Sequence, residues 1–254
     1  MNSREQFGPR AAAYATSVVH SRGADAAVER LGLRREGIAL DVGTGAGHTA
    51  HALARRCRFV LASDITPEML WQTGRLAKDL GLANLQPVFA LAEALPFETA
   101  SLDAVTCRLA AHHFRDPAAF CAEVARVLAP AGRALFVDVC VPEDGAAAVY
   151  INDIEVHRDH SHVEDYAASR WRSLVEGAGL RITEERLSTN DLAEEELTEW
   201  TRRSGTPQDD IEYIRARLAG APRPVKEAIK LRQDASTFRW LWPVLTIVAE
   251  KPQP

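Results

Sequence analysis

Between residues 38 and 139 the chain alternates short apolar runs with longer stretches of helical character. The apolar runs fall at residues 38–42 (IALDV), 59–63 (FVLAS), 85–91, 102–107 and 134–139. They are near-continuously apolar rather than strictly alternating, as expected of strands covered on both faces. The stretches between them carry helix punctuation. Thr66 and Pro67 offer a cap and a first-turn proline for a helix reaching about Leu80, ahead of Gly81. Asp116 and Pro117 repeat that start, and Leu128 ends the next helix before Pro130 and Gly132. Residues 47–56 read as a further helix. Repetition of strand, helix and strand predicts a parallel sheet with helices on both faces.

After residue 140 the pattern changes. Residues 141–168 hold few apolar runs and many His, Asp and Glu, and read as a connection carrying lid elements. A helix is expected over residues 171–178, ended by Gly179, then a strand over 180–187. Residues 191–234 read as mostly helical, with a break at Pro222 and Pro224. Residues 239–250 (RWLWPVLTIVAE) form a last strand, in which Pro243 predicts an irregular start or an edge position. With no repeat and no low-complexity linker, the expectation is one α/β domain over residues 1–254. Its parts would be an N-terminal lid (1–30), a core (37–140) and lid or substrate elements (141–170 and 190–235).

Composition narrows the classes. The net charge is −5 and no Lys/Arg cluster stands out, so a nucleic-acid partner is not expected. The run Glu194–Glu196 reads as a solvated helix face. Cys57, Cys107, Cys121 and Cys140 are far apart, without a CxxC, which argues against a zinc ribbon or a redox dithiol. Met1 to Tyr14 is polar, and no apolar stretch is long enough to span a bilayer. A cytoplasmic protein with no membrane partner is expected.

The sharpest chemical feature is Asp41-Val42-Gly43-Thr44-Gly45-Ala46-Gly47, between a strand and a helix. Glycines there let a ligand touch backbone, and the helix start presents free N–H groups. Such a loop is also found in nicotinamide-binding folds. Two details discriminate. The spacing is G-x-G-x-G rather than G-x-G-x-x-G, and Asp41 sits two residues before the first glycine, where a carboxylate would repel a pyrophosphate and attract an ammonium. Asp64 ends the second strand, where an acidic residue binds ribose hydroxyls. One carboxylate for an ammonium and one for a ribose point to an amino-acid nucleoside, S-adenosylmethionine.

The runs LDVGTGAGHTA, SDITPEML, AEALPFETASLDAV, HHFRDP and VLAPAGRALFVDV, in that order, resemble class I S-adenosylmethionine-dependent methyltransferases. The branch they look closest to is that of the ubiquinone/menaquinone-biosynthesis C-methyltransferases. The resemblance is strong over residues 37–140, and residues 7–20 are similar to that branch's N-terminal lid segment. It implies a Rossmann-like, doubly wound, seven-stranded sheet whose last strand is antiparallel, with helical lid elements. It also implies that Gly43, Thr44, Gly45 and Gly47 form the cofactor loop and that Asp41 lies beside the amino-acid end of the cofactor. Asp64 would hold the ribose, Ile65 and the Ala92–Glu93 backbone would meet the adenine, and Arg108 would lie under the methionine moiety. One position departs from the family: Leu91 stands where the family has an Asp that accepts from the adenine amino group. Losing that bond costs about 0.5–1.5 kcal/mol.

A sulfonium activates its own methyl group, so the protein has mainly to align an acceptor and exclude water. A general base helps when the acceptor is a hydroxyl or an acidic carbon. His112 and His113 follow the fourth strand; His113 belongs to the family's HHF run, and a packing role is the alternative for it. His157, His160 and His162 lie in EVHRDHSHVEDY. With Asp159, Glu164 and Asp165 nearby they could hold a metal such as zinc, but their spacing is no known ligand pattern, so no metal is expected, and His162 is the first choice as base because a similar Ser-His-Val run recurs in the branch. Tyr14, with Phe7, lies in the lid segment and is a candidate pocket residue. Trp171, Trp200, Trp240 and Trp242 read as core. The expected activity is methyl transfer to a small-molecule acceptor at oxygen, nitrogen or carbon. The alternative is a protein of the same fold that binds the cofactor without transferring methyl. A homodimer is left open.

Overall fold

The computed structural model describes residues 3–15, 22–234 and 236–253. Its sheet begins with β1 (Ile38–Val42), β2 (Phe59–Asp64), β3 (Leu85–Phe89), β4 (Leu102–Arg108) and β5 (Leu128–Val141). A short β6 (Tyr166–Ala167) pairs with the end of β5, and β7 (Arg181–Ser188) follows. β8 (Glu195–Glu196), β9 (Arg232–Gln233) and β10 (Phe238–Trp240) form a small separate sheet before β11 (Val244–Glu250) returns to the main one. The main order is β3-β2-β1-β4-β5-β11-β7. β1 to β5 are parallel, and β11 is antiparallel to both of its neighbours. The expected seven-stranded sheet with an antiparallel last strand is what the chain forms.

The two hydrophobic clusters explain the continuous apolar strands. Ala39, Val60, Ala62, Ala104, Leu135 and Val137 point into one cluster. Their strand neighbours Leu40, Val105, Ala134 and Phe136 point into the other. Alternate side chains leave opposite faces of a strand, so burying both faces needs apolar residues at nearly every position.

Four readings need correction. The run Glu194–Glu196 is no solvated helix face: Glu195–Glu196 is strand β8, and Glu195 is buried against Arg203. Residues 141–168 are not mainly a connection: a helix spans Gly145–Arg158, capped by Asp144, whose side chain accepts from the N–H of Ala146 and Ala147. Its buried face mixes Ala147, Ile151 and Ile154 with Glu155, so the apolar periodicity is weak. Residues 239–250 are two strands in two sheets, separated at Leu241–Pro243, and β11 is interior; Pro243 marks an irregular start, not an edge. Within 1–30, the helix Ala24–Glu29 buries Ala24 and Val28 in the core and so belongs to the body rather than a lid. The described part of the expected lid is the pair of short helices Ser3–Phe7 and Ala11–Ala15; residues 16–21 of that expectation lie outside the described residues.

Candidate functional site

The carboxyl ends of β1, β2 and β4 open into a cavity of about 760 Å³, roofed by Phe7, Tyr14 and the segment around residues 158–165. Crevices beyond strand ends are where doubly wound sheets bind ligands.

At one end is the glycine loop. Gly43, Gly45 and Gly47 all have positive φ, which favours glycine. Their roles differ. A Cβ on Gly43 would meet the Ala110 Cβ at 2.6 Å, and one on Gly47 would meet Thr73 and the His51 ring at 2.8 and 2.9 Å. These two serve close protein packing. A Cβ on Gly45 would meet nothing within 4 Å, so this glycine alone leaves open space for a ligand. Asp41 is buried, and its two oxygens accept from Thr44 Oγ1 (2.7 Å) and Thr106 Oγ1 (2.6 Å). Burial raises its pKa to about 6 against those hydroxyls and the nearby Arg108 guanidinium. Asp64 accepts from the N–H of Gly45 (2.9 Å) and of Thr66 (2.8 Å), one on each oxygen. Burial raises its pKa too, and the backbone donors oppose the shift. The Thr66 hydroxyl and the Ile65 N–H also favour the ionised form, and Asp64 lines the cavity. Ile65, Ala92, Glu93 and Arg108 also line the cavity, as does Leu91, which is 53 % exposed. Glu93 accepts from the Arg115 N–H at 3.0 Å, and Arg108 Nε donates to Thr49 Oγ1 at 3.0 Å.

β4 leaves the sheet through Leu109, a bulky residue at φ 55°. Such a residue in the left-handed region is strained. The turn brings His112 and His113 to the cavity. At its other end they meet His162: ring centroids are 4.3 Å apart for His112–His113 and 5.5 Å for His112–His162. His112 Nδ1 lies 2.7 Å from Asp138 Oδ1 and 3.9 Å from Asp165 Oδ1. Burial disfavours the charged ring, but Asp138, with support from Asp165 and Glu155, raises its pKa to about 9. His113 Nδ1 donates to Ser161 O at 3.1 Å, leaving Nε2 as an acceptor. Burial and the charged His112 lower its pKa to about 4.

Asn152 fixes the His162 tautomer. Its Nδ2 donates to the carbonyls of Ala148 (3.2 Å) and Asp165 (3.1 Å), so Oδ1 faces His162 Nε2 at 2.9 Å and accepts from it. His162 Nδ1 then carries the lone pair. Burial, with His112 and His113, lowers the His162 pKa to about 2. A ring that weak does not hold a proton near neutral pH, so His162 is a poor general base. His157 and His160 do not join it: both bond Asp210, at 2.6 and 3.0 Å. Tyr14 lines the cavity, and its backbone carbonyl meets His48 Nε2 at 3.1 Å.

Sequence reasoning missed several wall residues. Glu155, Arg158 and Arg203 line the cavity with Trp200 and Trp242, and Asp165, named only as a metal candidate beside the histidines, lines it too. The Arg158 guanidinium stacks on Trp200 at 4.9 Å, and Arg203 bonds both oxygens of Glu195 at 2.8 and 2.7 Å. The only signal was the charge density of residues 153–165 beside an unremarked helix. Of the tryptophans read as core, Trp171 and Trp240 are core alone, while Trp200 and Trp242 are both core and wall.

Comparison with known proteins gives this geometry a family. Residues 40–136 match the family model described as a methyltransferase domain. The uncharacterized methyltransferase YcgJ of Bacillus subtilis is 34% identical over 247 residues, covering 92% of this chain and 93% of that one. The chain belongs to the methyltransferase family. Its fold is that of the class I S-adenosylmethionine-dependent enzymes: the crystal structure of YcgJ superposes with a TM-score of 0.84 at 30% identity, over 92% of this chain and 99% of that one. A demethylmenaquinone methyltransferase of Thermus thermophilus is 35% identical over 127 residues, 49% of this chain and 56% of that one, so this likeness is confined to part of the chain. The [4+2]-cyclase SpnF shares the fold, with a TM-score of 0.68 at 16% identity over 92% of this chain and 81% of that one.

Proposed function

We propose that the protein transfers the methyl group of S-adenosylmethionine to a small-molecule acceptor at oxygen, nitrogen or carbon. The observation that carries the reading is that one cavity is lined both by Gly45 and Asp64 and by the histidines with Trp200 and Trp242. One end suits an amino-acid nucleoside, and the other has room for a second small molecule.

The residues suit that cofactor. Gly45 leaves open space, the Asp64 carboxyl would hold ribose hydroxyls, and Asp41 would supply negative charge for an ammonium. Gly43, Thr44 and Gly47 shape the loop, and Ile65, Ala92, Glu93 and Arg108, which line the same cavity, would hold the adenine and the methionine moiety. The cofactor supplies a methyl group already activated on a sulfonium sulfur.

The protein's own contribution is alignment and exclusion of water. Phe7 and Tyr14 cover the cavity, their rings 5.4 Å apart and edge to face. His113 and His162 present neutral lone pairs that can orient a hydroxyl or amine, while their low basicity suits an acceptor that reacts without a strong base. The test is turnover of S-adenosylmethionine to S-adenosylhomocysteine against a broad metabolite panel, with product mass detection. A methylated product that Asp64→Ala fails to form supports the reading. Tight cofactor binding without any methylated product would replace it with the non-transferring alternative.

A further inference from the structure

The acceptor end of the cavity holds a side-chain group that methyl transfer leaves without a task. His112, Asp138 and Asp165 each offer one ligand atom, and these atoms lie within 4.8 Å of one another. They come from three elements: the turn Ala111–His113, the interior of β5 and the segment before β6. Asp138 and Asp165 are each 3% exposed. Asp165 Oδ1 is buried without a hydrogen-bond partner among the described residues, 3.9 Å from His112 Nδ1.

A carboxyl oxygen buried without a hydrogen-bond partner leaves a demand that a proton or a metal cation satisfies. One imidazole nitrogen and two carboxylate oxygens form a donor set for a borderline divalent metal. Three protein ligands with an open side are the arrangement of a reactive centre rather than a closed structural one. His112 and Asp165 both line the cavity.

The supporting groups are in place. The other Asp138 oxygen accepts from the His112 N–H at 3.2 Å, and Asp138 Oδ1 accepts from the Val139 N–H at 2.9 Å. Asn152 holds the Asp165 backbone at both its N–H (2.7 Å) and its carbonyl (3.1 Å). Such outer contacts orient metal ligands. Entry of an ion requires the 2.7 Å separation of His112 Nδ1 and Asp138 Oδ1 to open. Ligand atoms on a tetrahedral zinc stand about 3.3 Å apart.

We propose that His112, Asp138 and Asp165 bind one divalent transition-metal ion at the acceptor end of the cavity. The open side of the ion would take an oxygen or nitrogen of the acceptor. That use rests on the methyl-transfer reading, and the site itself does not.

The experiment is calorimetric titration of chelator-treated full-length protein with Zn²⁺, with S-adenosylhomocysteine binding measured on every sample. One Zn²⁺ per chain at micromolar affinity is expected, weakened at least about tenfold in Asp165→Asn. Asp210→Asn removes the partly buried carboxylate shared by His157 and His160, and should leave the affinity unchanged. Wild type that gives no heat up to about 1 mM Zn²⁺ overturns the proposal. So does equal affinity in Asp165→Asn, or a loss confined to Asp210→Asn. If Asp165→Asn fails to fold, the ¹⁵N resonances of His112 in the wild type decide: movement on adding Zn²⁺ supports the site, and no movement overturns it. Zn²⁺ binding without S-adenosylhomocysteine binding would remove the methyl-transfer reading and leave the metal site standing.

Discussion

At the scale of single residues, the three loop glycines divide by what a Cβ would meet. Gly43→Ala drives a methyl into Ala110 in a left-handed backbone, and should destabilise the fold by about 1–3 kcal/mol. Gly45→Ala meets open space, so its stability cost is the backbone strain alone, about 1 kcal/mol. Its main effect should be loss of cofactor binding. Thermal melts with calorimetry on both variants check this, and the reverse order of effects would refute the division. Asp41 gives a pH prediction. Burial raises its pKa to about 6, so the folded chain holds a proton that the unfolded chain has already lost over the window below that value. The group's contribution to stability therefore falls as pH rises through that window and is at its full cost above about 6. An ammonium ligand favours the ionised form, so cofactor affinity runs the other way. It should be flat above pH about 6 and fall about tenfold per unit below it, with the step absent in Asp41→Asn.

At the scale of elements, the helix Gly145–Arg158 positions much of the acceptor wall. It supplies Glu155, Arg158 and, through Asn152, the hold on His162 and Asp165. Its start depends on Asp144, which accepts from the N–H of Ala146 at 2.9 Å and of Ala147 at 3.1 Å. Asp144→Ala should cost about 1 kcal/mol, read as a lowered denaturation midpoint with unchanged slope. Cofactor binding should stay intact, because Asp144 is remote from the glycine loop. This helix also shows where pattern reading fails. Its inward face carries a carboxylate beside isoleucines, because that face borders a polar cavity as well as the core. By contrast, the helix Pro67–Asp79 was legible from Pro67 and Gly81, although the Thr66 side chain makes no cap hydrogen bond.

At the scale of the whole molecule, the sheet joins two chemistries that lie far apart in the chain. Asp41 and Asp64 lie at the ends of neighbouring strands, and the histidines reach the same cavity from residues 112, 113 and 162. The sequence by itself determined the strand order's raw material, the glycine loop and the two carboxylates at the strand ends. Those features are local: burial on both faces demands continuous apolar runs, and a backbone-lined ligand site demands glycine and a nearby acid. Tertiary structure alone decided the acceptor end. It drew His162 away from His157 and His160, set its tautomer through Asn152, and placed Asp138 and Asp165 against His112. Those contacts join residues up to 53 positions apart, and no spacing rule links them (Asp165 lies 53 positions from His112). Burial then set the histidine pKa values apart, because desolvation and neighbouring charge exist only once the chain has closed around them.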